Sequence, residues 1–350
     1  MEIAAIDPNF DVKASFGRED VLLRNCREEP FAIHGVRHEN GLFRRMPEEI
    51  AKEVGSGVAY LHANTAGGRV RFRTDSPFVA ISAKMPTIGR MPHFALTGSA
   101  GFDLYVDGVY VKTFVPPYNM AGGYEGIFTF GDCRMRDILI NFPLYSLVAE
   151  LFIGLTPDAA VAAPTPYRVA TPAVFYGSSV TQGGCASRPG GSYQAILSRE
   201  LDMDYVNLGF SGNALGGDVI SRYLASLPMS VFFMDYDYNP PTNDHLEKTH
   251  EPMFLAVRAA HPDIPIIIMS RAKPRATLLP WEAGRLEIIT RTYQNALARG
   301  DKNVYLIDGE ALTTLCGNEG TVDGCHPTDF GFASMARALL ALIRQHNILP

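Results

Sequence analysis

Hydrophobic and polar positions follow two different rhythms along this chain. From about Gly55 to Gly154 the apolar residues come in short alternating runs. In "GRVRFRTDSPFVAISAKM", Val70 and Phe72 alternate with Arg69, Arg71 and Arg73, and Phe78, Val79 and Ile81 follow. "GFDLYVDGVYVKTF" sets Asp107-Gly108 between two β-branched and aromatic runs, a pattern that predicts a hairpin. "RDILINFPLYSLVAELFIGL" adds further strand material. Many short strands with glycine turns predict a jelly-roll-like β-sandwich over residues 1–160, although the first 50 residues carry no clear period. Alanine, proline and threonine dominate "TPDAAVAAPTPYRVAT", which favours neither helix nor strand and reads as a connector over 161–171.

Beyond it the rhythm changes to strand, helix, strand, helix. Strand-like runs cover Ala173–Tyr176, Asp204–Leu208, Val231–Asp235, Ile264–Met269 and Val304–Ile307. Helix-like runs cover Tyr193–Leu201, Gly217–Leu227, Asn243–Ala260, Trp281–Ala298 and Pro327–Arg344. These five units predict an α/β unit over 172–350: a flavodoxin-like, five-stranded parallel sheet in a three-layer α/β/α sandwich. Ligands gather at the C-terminal strand ends of such sheets. That edge collects Ser179 after the first strand, Gly209 to Asn213 after the second and Asn239 after the third.

Composition narrows the function. With 350 residues, two cores are expected, and 47% hydrophobic with 19% charged residues is ordinary for a soluble globular protein. A net charge of −6 and the absence of any Lys/Arg run leave no footprint for nucleic acid or an anionic membrane. No apolar run reaches the roughly 20 residues of a spanning helix. No basic-then-apolar leader is visible in the first twenty positions, so a cytoplasmic location is expected. Cys26, Cys133, Cys185, Cys316 and Cys325 include no C-x-x-C pair, which predicts free thiols and gives no zinc-binding spacing. Nothing fixes the oligomeric state.

The chemistry starts at "VFYGSSVTQGG", where a strand stops at Gly177-Ser178-Ser179. A Gly-Ser turn alone is unremarkable. A serine hydroxyl becomes a nucleophile only when a base, oriented by a carboxylate, takes its proton. "TVDGCHPTDF" supplies Asp323 and His326 three positions apart, ahead of a helix expected to open at Pro327. That spacing lets the carboxylate reach Nδ1 while Nε2 points outward. Donors for a developing oxyanion are offered by the glycines Gly209 and Gly212 of "VNLGFSGNA" and by the amide of Asn239 in "MDYDYNPPT".

Taken in order, "GSSVTQG", "GFSGNA", "DYDYN" and "DGCHP" resemble the four blocks of the SGNH (GDSL-type) hydrolases. The resemblance implies Ser179 as nucleophile, His326 as general base and Asp323 as orienting acid. It implies the Ser179 N–H, the Gly212 N–H and the Asn239 side chain as oxyanion donors, with no metal and no cofactor. Two blocks depart from the family: Ser178 stands where an aspartate is usual, and the third block keeps only its asparagine. "GFDLY" is similar to the Gly-x-Asp-Leu-Tyr signature of a β-domain that precedes such hydrolases. Proteins of that build resemble carbohydrate acetyl esterases, which implies a small-molecule or oligosaccharide ester as substrate. A thioesterase or lysophospholipase would use the same triad, and an inactive carbohydrate-binding protein is a third reading.

Other residues read as secondary. His245 and His250, five apart, are expected on an exposed helix face. Arg271, Lys273 and Arg275 in "SRAKPR" follow the fourth strand and either rim the site or form a solvated basic loop, the second being the reading favoured here. Trp281 is equally a packing anchor or a sugar-facing wall. Tyr118 and Tyr124 in "PPYNMAGGYEG" are expected to offer an aromatic wall to the site.

Overall fold

The computed structural model describes residues 3–7, 12 and 15–349; the other positions, which apart from the last belong to the stretch read above for a leader, lie outside it. The early alternating runs form two antiparallel sheets facing each other. One orders its strands as Leu22–Asn25, Glu150–Leu155, Phe78–Met85 and Gly122–Thr129. The other runs Val161–Ala162, Arg69–Thr74, Arg136–Asn141, Phe102–Val106 and Val109–Phe114, with Ala32–His34 also paired to Arg69–Thr74. These are jelly-roll orders. Val70, Phe72 and Ile138 from one sheet meet Val79, Ile81 and Ile153 from the other in a shared core. Asp107 and Gly108, with φ of 50° and 80°, turn the hairpin as the sequence predicts.

The second unit is a parallel sheet of β1 (Val169–Gly177), β2 (Met203–Gly209), β3 (Val231–Asp235), β4 (Ile266–Met269) and β5 (Val304–Ile307). Its order is β2-β1-β3-β4-β5. Helices α1 (Ser179–Gln182), α2 (Tyr193–Leu201), α3 (Asp218–Ser226), α4 (Asn243–Ala260), α5 (Pro280–Ala298) and α6 (Asp329–Gln345) connect or follow the strands. Alternation sorts the strand residues between two cores. Phe175, Phe233 and Ile267 face α2 and α6, whereas Val174, Phe232 and Ile268 face α3, α4 and α5. Strands buried on both faces read as continuous apolar runs, which is why their positions were legible.

Several expectations shift. The stretch read as a connector is strand at both ends, since Val161–Ala162 pairs with Arg69–Thr74 and β1 opens at Val169. Early residues cross over as well: Met46, Ala51, Val58 and Leu61, on or just before helices Glu48–Val54 and Ser56–Leu61, pack with Leu208, Phe210 and Leu224 of the α/β unit. Helix α6 starts at Asp329 with Thr328 as its N-cap, so Pro327 stands just outside it.

His250 is not on an exposed face. It is fully buried between α4 and α5, its Nδ1 2.8 Å from Thr292 Oγ1, and burial pushes the imidazole down to about 3. Folded His250 therefore stays neutral while an unfolded histidine protonates below about 6.5. The unfolded state then binds more protons between about pH 6.5 and 3, so stability falls as pH drops through that window. Between pH 6.5 and 4.5 the wild type is expected to lose roughly 2–3 kcal/mol more than His250→Asn, at about 1.4 kcal/mol per unit. Urea unfolding at the two pH values checks this, and equal losses would show that His250 is not the titrating group.

Candidate active site

The C-terminal ends of β1 and β3, where the strand order reverses, frame the site. Ser179 is the first residue of α1, directly after β1, and the Ser178 hydroxyl caps that helix by accepting the Val180 N–H at 3.2 Å. Ser179 Oγ lies 2.9 Å from His326 Nε2, and His326 Nδ1 lies 2.7 Å from Asp323 Oδ2. An ionised carboxylate only accepts, so Nδ1 carries the proton and Nε2 is left as acceptor for the serine hydroxyl. Asp323 Oδ1 also accepts the backbone N–H groups of His326 (2.8 Å) and Cys325 (2.9 Å). Burial opposes ionisation of Asp323, but the His326 N–H, its imidazole and the Cys325 N–H outweigh it and hold the carboxyl down to about 2.

Three donors converge beside this line. Among the described residues, neither the Ser179 N–H nor the Gly212 N–H has an acceptor. Gly212 has φ 69°, a conformation that suits glycine, and nothing lies where a Cβ would project. Asn239 Oδ1 accepts the Ala214 N–H at 3.2 Å, which leaves the Nδ2 hydrogens to the cavity. Gly209 plays a different part from the one its sequence position suggested. Its N–H is taken by Asn207 Oδ1 at 2.9 Å, and a Cβ there would lie 2.2 Å from the Gln182 nitrogen. It lets α1 pack onto β2.

Ser179, Gly212, Asn239, His326, Tyr238 and Trp281 line a cavity of about 510 Å³. Trp281 is 46% exposed, with the Arg271 and Arg285 guanidinium carbons each 4.8 Å from its ring, so it packs against both arginines while bordering the cavity. Arg271 is not in a solvated loop: it is buried, pairs with Glu282 and reaches Asp237, while Lys273 Nζ sits 2.7 Å from Glu282. Only Arg275 of that run is exposed. Arg285, also buried, donates to the carbonyls of Asp237, Tyr238 and Pro240, which surround Asn239 and fix its loop. Just past Ser179, Thr181 Oγ1 (2.8 Å) and Tyr193 OH (3.0 Å) donate to Asp235, whose carboxyl burial pushes up to about 7.

The N-terminal unit reaches this site through Tyr145 and Arg45, which the sequence did not single out, and through the "GFDLY" strand, which it did. Tyr145 OH donates to the Ser179 carbonyl at 3.3 Å, and Arg45 donates to the carbonyls of Asn207 (3.2 Å) and Gly209 at the end of β2. The buried Asp103 of "GFDLY" accepts from Gly190 N (2.7 Å), Asn141 Nδ2 (2.7 Å) and Arg188 (3.2 Å). It thereby braces the loop between α1 and α2. Tyr124 is buried in the sandwich, its OH 2.8 Å from the Phe114 carbonyl, and forms no wall to the site. Tyr118 is exposed and lines a separate cleft with Arg90 and Phe94.

A parallel sheet of this order behind an antiparallel β-sheet unit, with the strand ends arranged as above, is the SGNH hydrolase fold. The chain belongs to the GDSL-like lipase/acylhydrolase family, whose profile matches residues 170–344 and whose members generally hydrolyse esters. Residues 23–161 match a second profile, described as the N-terminus of esterases of SGNH-hydrolase type. No curated protein matches the chain by sequence. Among solved structures, a protein described as a GDSL-like lipase from Bacteroides ovatus ATCC 8483 is 26% identical, with a TM-score of 0.83 over 93% of this chain and 97% of its own. The salicylyl-acyltransferase SsfX3 of a tetracycline biosynthetic pathway is 20% identical, with a TM-score of 0.78 over 95% and 99%. A family two carbohydrate esterase from Clostridium thermocellum, in complex with cellohexaose, is 16% identical, with a TM-score of 0.61 over 82% and 95%. The last two likenesses are of fold.

Proposed function

We propose that this protein is a serine esterase that removes small acyl groups, acetyl above all, from carbohydrates. The observation that carries the reading is the line from Ser179 Oγ through His326 to Asp323, beside three donors with no acceptor of their own. Ser179 Oγ attacks the ester carbonyl while His326 Nε2 takes its proton and Asp323 steadies the imidazolium. The Ser179 N–H, the Gly212 N–H and Asn239 Nδ2 hold the oxyanion. His326 returns the proton to the departing alcohol, and water, activated by the same nitrogen, then frees the acid.

The carbohydrate part of the reading rests on the cavity's walls. Ser211, at its edge, also borders a second cleft of about 490 Å³ between Tyr60, 71% exposed, and Arg90. Exposed aromatic residues in two clefts that share Ser211, Trp281 in one and Tyr60 in the other, suit a hydroxylated ring. No helix among the described residues is long and apolar enough to cross a membrane. Acetylated xylo- or manno-oligosaccharides are therefore expected to release acetate, with acyl chains beyond about four carbons reacting poorly beside the polar groups of Ser211, Asn239, Arg271 and Glu282. Released acid measured across acetylated sugars, p-nitrophenyl esters of rising chain length, acyl thioesters and lysophospholipids checks this. Faster turnover of palmitoyl or lysophospholipid substrates would sink the carbohydrate reading and leave the catalytic one standing.

A further inference from the structure

Three side chains from distant stretches of the chain meet at the catalytic histidine, and two of them have no part in the hydrolytic steps. His93 sits in a tight turn of the N-terminal unit, where the Phe94 N–H donates to the Met91 carbonyl at 3.2 Å. Phe94 anchors that turn, buried and edge-on to Tyr145 at 5.3 Å. The His93 ring itself is exposed, its centroid 5.7 Å from that of His326, and its nitrogens have no hydrogen-bond partner among the described residues. Cys185 follows α1 with φ 75°, a left-handed conformation rare for a side chain other than glycine. One donor atom from each of His93, Cys185 and His326 lies within 4.8 Å of the other two.

We propose that His93, Cys185 and His326 bind one zinc-class divalent cation, and that its binding withdraws His326 Nε2 from Ser179 and silences the enzyme. The inhibitory half rests on His326 being the base assigned above. One sulfur and two imidazole nitrogens are a zinc-type donor set and a poor one for Mg²⁺ or Ca²⁺. Zinc bonds of about 2.3 Å to sulfur and about 2.0–2.1 Å to nitrogen set donor separations of roughly 3.3–3.7 Å, so closing by about 1 Å completes the site. The exposed His93 ring is the member free to make that move. Asp323 already holds the Nδ1 side of His326, which is how a carboxylate orients a metal-bound histidine. Cys185 loses its thiol proton to solvent on binding, and a fourth position stays open to water. His93 comes from a turn of the N-terminal unit and the other two from the α/β unit, so no sequence spacing announces the site.

The test uses the full chain with Zn²⁺ as the probe, in two arms. Calorimetric titration of the metal-free protein is expected to find one tight Zn²⁺ site, weakened at least about tenfold in His93→Ala and in Cys185→Ser but unchanged in Cys325→Ser. Co²⁺ in place of Zn²⁺ is expected to give a thiolate-to-metal charge-transfer absorption that Cys185→Ser lacks. In the second arm, ester turnover of each variant is compared with its own rate in EDTA. Wild type is expected to be inhibited by Zn²⁺ and restored by EDTA, Mg²⁺ and Ca²⁺ to have no effect, and both ligand variants to need at least about tenfold more Zn²⁺. Equal Zn²⁺ affinity in wild type, His93→Ala and Cys185→Ser overturns the site. Tight binding with undiminished turnover overturns the inhibition. The titration reads the metal directly, so failure of the site is distinct from failure of the esterase reading, which shows as no turnover even in EDTA.

Discussion

Replacing Ser179 with alanine is expected to bring ester turnover down by about 10⁴- to 10⁶-fold in kcat, the scale on which serine hydrolases lose activity without their nucleophile. The reason is local. Of the two adjacent serines, only Ser179 has its hydroxyl on His326 Nε2, at 2.9 Å. Ser178 Oγ is turned back to the Val180 N–H as a helix cap. Ser178→Ala should therefore cost about 1 kcal/mol of stability through the lost cap, while keeping most of the activity. Initial rates on p-nitrophenyl acetate, with urea unfolding run in parallel, separate the two effects. An inactive Ser178→Ala beside an active Ser179→Ala would mean that the attacking hydroxyl has been misassigned.

The second large effect is expected at Asn239. Removing one preorganised oxyanion donor typically costs on the order of 100- to 1,000-fold in kcat, with little change in KM, because the donor acts on charge that appears only in the transition state. Asn239 meets the structural condition for such a role. Its oxygen is occupied by the Ala214 N–H, and Arg285 grips the carbonyls on both sides of it, so Nδ2 is aimed before any substrate arrives. Asn239→Ala should show the kcat loss. Asn239→Asp, which keeps the shape but replaces a donor with an acceptor, should be at least as slow. A defect confined to KM in both variants would mean that the side chain holds the ground-state substrate instead.

The parallel sheet could be read from the sequence because its strands are apolar on both faces, and Val231–Asp235 and Val304–Ile307 fall where the pattern put them. The order of Ser179, Gly212, Asn239 and Asp323 with His326 was legible for a related reason: each follows a recognisable strand or precedes a recognisable helix. What stayed hidden depends on contacts across space. Arg45, Tyr145 and His93 carry no local signal of what they touch. Arg271 looked solvated because its basic neighbours are close in sequence, whereas its partners Glu282 and Asp237 are not. His250 looked exposed because a five-residue spacing says only that it and His245 diverge, not which of them faces α5. The helices Glu48–Val54 and Ser56–Leu61 are too short to show a period, and they finish a core that lies mostly in the second half of the chain.

The seam marked by Asp103 bears on how such a protein can be rebuilt or inherited. Asp103 holds the Gly190 N–H and Arg188, while Arg69 and His34 hold Asp204 from the same side. Each of these groups is finished by the opposite half of the molecule. A chimera that joined this α/β unit to a foreign β-sandwich would orphan several buried donors and acceptors at once, each at roughly 1–3 kcal/mol. Against the ~5–15 kcal/mol that holds a typical protein together, that is a prohibitive mismatch. The two halves should accordingly be swapped by engineers, and passed between lineages, as a matched pair, with compensating changes appearing on both sides of the seam or on neither.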